Sequence, residues 1–269
     1  MHSRPIALTA AFAAALLAAA APGPRASAGV PQPSHGDARG GESREARAVR
    51  ATLTATARDT GEVRAARSAG EAREGAVSAA ELLAKVRDCT PISRGSYRKD
   101  AGAEATVPVC GTDEVVHWTA DMDVSCDGQS TPRCNARTDP WFIEDTAFRQ
   151  SDGKPLNAET LPYVVVPGPS QTWRHTESGV RGGTVVAVVH DDRVRYGVVG
   201  DTGPTDVIGE VSQAMARSLG VDDDPVAGGV ASDVTYVLFR DSKATPIEDH
   251  SAAASLGGEL ARRFVSGTG

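Results

Sequence analysis

After its first 28 residues the chain has no apolar run approaching the roughly 20 residues a membrane-spanning helix needs. Several short catalytic signatures are missing as well. The six histidines (His2, His35, His117, His175, His190 and His250) form no H-E-x-x-H pair, and there is neither a G-x-S-x-G elbow nor a P-loop. Metalloprotease, serine-hydrolase and nucleotide-hydrolase chemistries resting on those patterns are therefore unsupported. Cysteine is scarce, with four residues and no C-x2-C pair, which argues against a structural zinc site. From Gly29 to Gly75 there is no aromatic residue at all, so this stretch cannot bury much apolar surface.

What is present begins with Arg4, the run "IALTAAFAAALLAAAA" and "ASA" at 26–28. Residues 1–28 are expected to be a signal peptide cleaved after Ala28, since the run is short, Ala-rich and followed by Pro22 and Pro24. The mature protein is then secreted and extracellular. An even number of cysteines in an exported chain suggests two disulfides among Cys89, Cys110, Cys126 and Cys134. Three pairings are open. Cys89–Cys110 and Cys126–Cys134 are favoured, because each would tie down a loop-rich segment.

Composition divides the remainder in two. Residues 29–75 hold eight Arg against seven acids and read as a disordered or weakly helical linker or pro-region. Residues 76–269 are expected to form the folded domain, with 18 basic residues against 28 acidic ones. A surface near −10 repels nucleic acid and anionic membranes and attracts a cationic substrate, although acidity also simply keeps a secreted protein soluble.

Within that domain "SAAELLAKVRD" (78–88) predicts a helix, with Ser78 and Glu81 in capping-box positions. "EVVHWT" (114–119), "PYVVVP" (162–167), "TVVAVVH" (184–190), "RVRYGVVG" (193–200) and "DVTYVLF" (233–239) predict strands, the third and fourth joined in a hairpin across Asp191 and Asp192. A closing helix is expected over "SLGGELARRF" (255–264). The pattern is mainly β with a few helices, arranged as a small barrel.

The stretch "GDTGPTDVIGE" (200–210) leaves a strand at Asp201 and turns at Gly203 and Pro204. The apolar spacing from Val207 to Leu219 predicts a helix capped by Thr205, with Asp206 in its first turn and Glu210 on the face opposite Val207 and Val211. A solvent-facing glutamate is the plain expectation there. Against it stands Gly209, which costs about 1 kcal/mol in a helix relative to Ala and makes sense where something must approach closely. Asp201 and Glu210 then offer two carboxylates for one cleft, the arrangement that glycoside hydrolysis requires.

"WTADMDVSCDGQ" (118–129), "LPYVVVP" (161–167), "YGVVGDTGPTDVIGE" (196–210) and "DPVAGGVASDVTYVLF" (224–239) together resemble the fungal-type chitosanases of glycoside hydrolase family 75, which also occur in bacteria. The resemblance runs from about Cys89 to the C-terminus. It implies a six-stranded, double-psi-like β-barrel and internal cleavage of chitosan with inversion of configuration. It also implies that Asp201 and Glu210 are the catalytic carboxylates, with Glu210 taken as the acid and Asp201 as the base.

A second acidic group, Asp121, Asp123 and Asp127 in "DMDVSCDG", fails as an EF-hand because Cys134 stands where the bidentate Glu belongs. Its carboxylates are expected in a solvated loop or paired with glucosamine ammonium groups, a non-EF cation site being the remaining alternative, and no metal is assigned. Trp118, Trp141, Tyr163 and Trp173 carry rings that could stack on sugars or serve the core; Trp118 and Tyr163 are singled out as substrate-binding candidates. The resulting expectation is a monomeric endo-chitosanase without cofactor, acting on a polycationic polysaccharide. A non-catalytic module binding chitosan or cell-wall glycan, or a glycanase acting on peptidoglycan, is the alternative.

Overall fold

The computed structural model describes residues 77–267; the expected signal peptide and the segment 29–75 lie outside the described residues. Eight strands and three helices follow one another: α1 (Ala79–Lys85), β1 (Pro91–Tyr97), β2 (Val107–Gly111), β3 (Val115–Ser125), β4 (Tyr163–Pro167), β5 (Val185–His190), β6 (Arg193–Gly203), β7 (Glu210–Ser212), α2 (Gln213–Leu219), β8 (Val230–Phe239) and α3 (His250–Ser266). Six of the strands close on themselves in the order β3-β7-β4-β6-β5-β8 and back to β3. Two of these pairings, β3–β7 and β4–β6, are parallel and the other four antiparallel. The expectation of a mainly β, six-stranded, double-psi-like barrel is met in strand number, closure and mixed pairing. β1 and β2 form an arm on the edge of β3, which meets β2 at its start and β7 at its end.

The β-branched runs explain why these segments are strands. Successive residues of a strand point to opposite faces, and here both faces are covered. Tyr163 and Val165 of β4, with Val185, Ala187 and Val189 of β5, pack toward Leu82 of α1 and Phe264 of α3. Val164, Val166, Val186 and Val188 join Trp118, Tyr236 and Met215 on the other side. A wall buried on two sides reads as a continuous apolar run, which is what "YVVVP" and "VVAVV" display.

Local chemistry sets the ends of the elements. Ser78 and Glu81 make the expected capping box of α1. The β5–β6 hairpin turns across Asp191 and Asp192, with Asp191 at φ 53°. The favoured disulfides are those formed: Cys89–Cys110 and Cys126–Cys134. The second closes the loop leaving β3. Its Arg133 pairs with Asp223 at 2.8 Å, so the "DDDP" turn helps to hold that loop. Among the described residues no helix is long and apolar enough to cross a membrane.

One expectation fails. No helix starts at Thr205: residues 204–209 form an extended turn, in which Asp206 pairs with Arg98 at 3.6 Å. β7 follows, and α2 begins only after Ser212, whose hydroxyl accepts a hydrogen bond from the Met215 N–H. Val207, Ile208 and Val211 do have helical spacing, but pairing with β3 and β4 overrides it.

Candidate active site

Asp201 on β6 and Glu210 at the start of β7 lie on strands that both pair with β4, close enough for the charge of Asp201 to act on Glu210. In the parallel β4–β6 pair Val164 faces Val199 and Val165 faces Asp201, so Gly200 is an extra residue that re-aims the end of β6. Asp201 is buried, with 7% of its surface exposed. Its Oδ1 accepts hydrogen bonds from the backbone N–H groups of Ala147 and Thr202, both at 2.7 Å. Burial pushes its pKa up; these two donors pull it back, and the charge of Asp145 adds a smaller upward push.

Glu210 opens β7 and lies opposite Asp123 in the parallel register with β3. The turn before it depends on Gly209, at φ 123°, where a Cβ would stand 2.3 Å from Oδ1 of Asp121. Only glycine fits both the conformation and the space. The Glu210 carboxyl reaches toward β6, since a Cβ at Gly203 would lie 3.2 Å from its Oε2. Gly203 and Asp201 are two residues apart on β6 and share a side of that strand. Glu210 is therefore a strand residue aimed at the side of β6 that carries Asp201, not a residue on an outward helix face.

Burial pushes the Glu210 pKa from its ordinary 4.5 to about 7, a hydrogen bond with the Ser125 hydroxyl opposes this, and the charges of Asp127, Asp201 and Asp123 add to it. Asp127 is the third carboxylate of the group. Its Oδ1 accepts from the Ile143 N–H at 2.6 Å. Burial raises its pKa to about 6 against that bond, and Asp201 and Asp139 raise it further. Beneath lies Tyr163, whose hydroxyl donates to the Asp127 carbonyl at 2.8 Å and feels the charges of Asp201, Asp127 and Glu210.

Asp121 and Asp123 form a neighbouring cluster. With Asp100 each offers an oxygen within 4.8 Å of the others, a spacing that an ammonium group or a divalent cation would fit. Asp121 is only 4% exposed, and burial with the charge of Asp123 lifts its pKa to about 6. The Tyr236 hydroxyl, hydrogen-bonded at 2.8 Å to the carbonyls of both Asp121 and Gly209, ties this cluster to the residue before Glu210.

The aromatic candidates need correction. Trp118 is buried, stacked on Tyr236 at 5.2 Å and edge-on to Trp173 at 6.3 Å. Tyr163 is fully buried under the carboxylates. Neither ring offers a face to a sugar; both strands are covered on two sides, so their large side chains fill the core. Sequence reasoning also missed Ser125, Gly203 and the backbone donors of Ile143 and Ala147. A hydroxyl before Cys126 carries no local signal, and the loop 139–147 meets the site only through the fold.

This arrangement supplies groups that acid–base chemistry can use: one carboxyl whose pKa burial lifts to about 7, and a second whose two backbone N–H donors oppose the upward push of its own burial. Residues 122–263 match the family model described as fungal chitosanase of glycosyl hydrolase group 75. Endo-chitosanase C of Aspergillus oryzae is 32% identical over 132 residues, covering 47% of this chain and 32% of that protein. An endo-chitosanase of Aspergillus oryzae (strain ATCC 42149 / RIB 40) is 30% identical over 138 residues, with coverages of 47% and 56%. One from Aspergillus fumigatus is 29% identical over 134 residues, again with 47% and 56%. The chain thus spans between about a third and just over half the length of the curated relatives it matches. Among solved structures, the Streptomyces papain inhibitor is similar at 19% identity and a TM-score of 0.28, covering 46% of this chain and 94% of that one.

Proposed function

The chain belongs to the fungal chitosanases of glycosyl hydrolase group 75, and from that premise we propose that it is a secreted endo-chitosanase that cleaves β-1,4 links between glucosamine units with inversion. Glu210 is the general acid: its neutral carboxyl gives a proton to the glycosidic oxygen as the bond from C1 to that oxygen breaks. Asp201 is the general base: its anion takes a proton from a water that attacks C1 from the opposite side of the ring. Each carboxyl ends the step with the other's starting charge, and solvent exchange resets the pair. No cofactor takes part, and the protein works as a monomer.

The observation that carries this reading is the aim of Glu210. Its carboxyl lies over Gly203, on the side of β6 that bears Asp201, and burial holds its pKa at about 7. The division of roles is supported by the surroundings: two backbone donors favour the Asp201 anion and oppose the upward push of its burial, whereas burial lifts Glu210 to about 7. Asp121, Asp123 and Asp127 pair with substrate ammonium groups along the cleft, as the acidity of residues 76–269 supports. Secretion is supported by the leader-like residues 1–28 and by the two disulfides.

The test is highly deacetylated chitosan, followed by viscosity and by reducing ends. Rapid loss of viscosity is expected from the parent, and none from Asp201→Asn or Glu210→Gln, with folding checked by circular dichroism. A folded parent that binds chitosan without cutting it would overturn the catalytic reading in favour of a binding module.

A further inference from the structure

The segment between Asp139 and Ala147 has a feature that the acid–base chemistry leaves unused. Trp141 is 72% exposed and Ile143 60% exposed, two large apolar side chains left in water on either side of Phe142 in the sequence. Single exposed apolar residues are ordinary; what sets this pair apart is how firmly it is held and to what. Buried Asp139 accepts the Trp141 N–H at 2.8 Å through Oδ1 and the Phe142 N–H at 3.2 Å through its carbonyl. Phe142, between the exposed pair, packs against the core. The Ile143 N–H bonds to the Asp127 carboxylate, and its carbonyl accepts the Gly128 N–H at 2.9 Å. Four residues on, the Ala147 N–H bonds to Asp201. One segment thus both presents an open indole and clamps two carboxylates of the site.

We propose that Trp141, flanked by Ile143, is the stacking platform on which a glucosamine unit of the substrate chain rests beside the scissile bond. A pyranose ring has an apolar C–H face that suits an indole. The 2-ammonium group of glucosamine adds attraction to the ring face, and exposed Glu144 follows Ile143 directly. The fixed loop spends little further ordering entropy on binding. The two rings singled out by sequence for this task are closed in the core; Trp141 is the open one. This inference rests on the chitosanase reading and names a binding subsite within it.

The experiment uses the full chain with a glucosamine hexamer and with chitosan. Trp141→Ala should raise KM about tenfold, equivalent to about 1.4 kcal/mol, with kcat held within about twofold. Trp141→Phe should recover most of the loss. In a Glu210→Gln background the hexamer should quench and shift indole emission, and the added Trp141→Ala change should abolish that signal, leaving the buried Trp118 and Trp173 silent. If the parent cleaves chitosan and Trp141→Ala leaves KM and the emission change intact, the platform is refuted while the hydrolase reading stands. If the parent neither binds nor cleaves chitosan, both fail. Neutral acrylamide unable to quench Trp141 in the free full chain would mean that the indole is covered, and would also refute the proposal.

Discussion

A side chain at Gly203 would place its Cβ 3.2 Å from Oε2 of Glu210, so the end of β6 stays bare where the carboxyl needs room. The same Cβ would stand 3.1 Å from Cγ1 of Val165. Gly203→Ala is therefore expected to displace the Glu210 carboxyl by a few tenths of an ångström. Misplacement of about 1 Å costs a reaction about a hundredfold, so a fall in kcat of roughly tenfold is expected, with little change in Tm. Gly209→Ala behaves differently. It forces a φ of 123° on an L-residue and drives a methyl into Asp121, so it should destabilise the fold by about 1–3 kcal/mol. Urea titration of both variants, beside their initial rates, separates the two effects.

Glu210 makes stability depend on pH in a definite direction. Its pKa is about 7 folded against an ordinary 4.5, so between these values the unfolded chain gives up the proton first. Stability from this group is complete below about pH 4.5 and lost as pH rises through about 7. Glu210→Gln should accordingly match the parent in Tm near pH 4 and exceed it near pH 8. Parent activity should decline as pH rises through about 7, because the acid loses its proton. That limb belongs to a coupled group, since Asp127, Asp201 and Asp123 all act on Glu210. A variant that is no more stable than the parent at high pH would show that burial does not perturb this carboxyl.

Cys126–Cys134 closes the loop that begins with Asp127 and Gly128. Chain-entropy reasoning gives about 2–3 kcal/mol for a loop this short. Replacing both cysteines with serine should lower stability by that amount in denaturant unfolding. It should also raise KM, because Asp127 loses its fixed backbone. Unchanged KM in the folded double variant would remove Asp127 from the substrate path.

Much of the barrel was legible because its wall is buried on both sides, and "YVVVP", "VVAVVH" and "VTYVLF" carry that burial as β-branched runs. β7 was not, being three residues long and existing only through its partners on β3 and β4. Its flanking valines and isoleucine fit a helix equally well, and Gly209 was the one local sign against it. β1 was missed too, since "PISRGSY" is polar and largely exposed, and so was β2, whose five mostly buried residues include a proline and a glycine. Periodicity puts Glu210 on a solvent face; Gly209 and the strand end at Asp201 argue for one shared cleft, and the family resemblance names the two carboxylates as the catalytic pair. Ring choice failed for a related reason: nothing local distinguishes Trp118, sealed against Tyr236, from Trp141 in the open.

The most direct test of the central claim is proton NMR of a fresh digest of glucosamine hexamer, read before mutarotation. If water attacks under Asp201 while Glu210 protonates the leaving oxygen, the first reducing ends are α-anomers. The same spectrum from Asp201→Asn and Glu210→Gln should show no new anomeric signal. β-Anomers appearing first would mean a covalent, retaining route and would contradict the roles assigned here to Asp201 and Glu210.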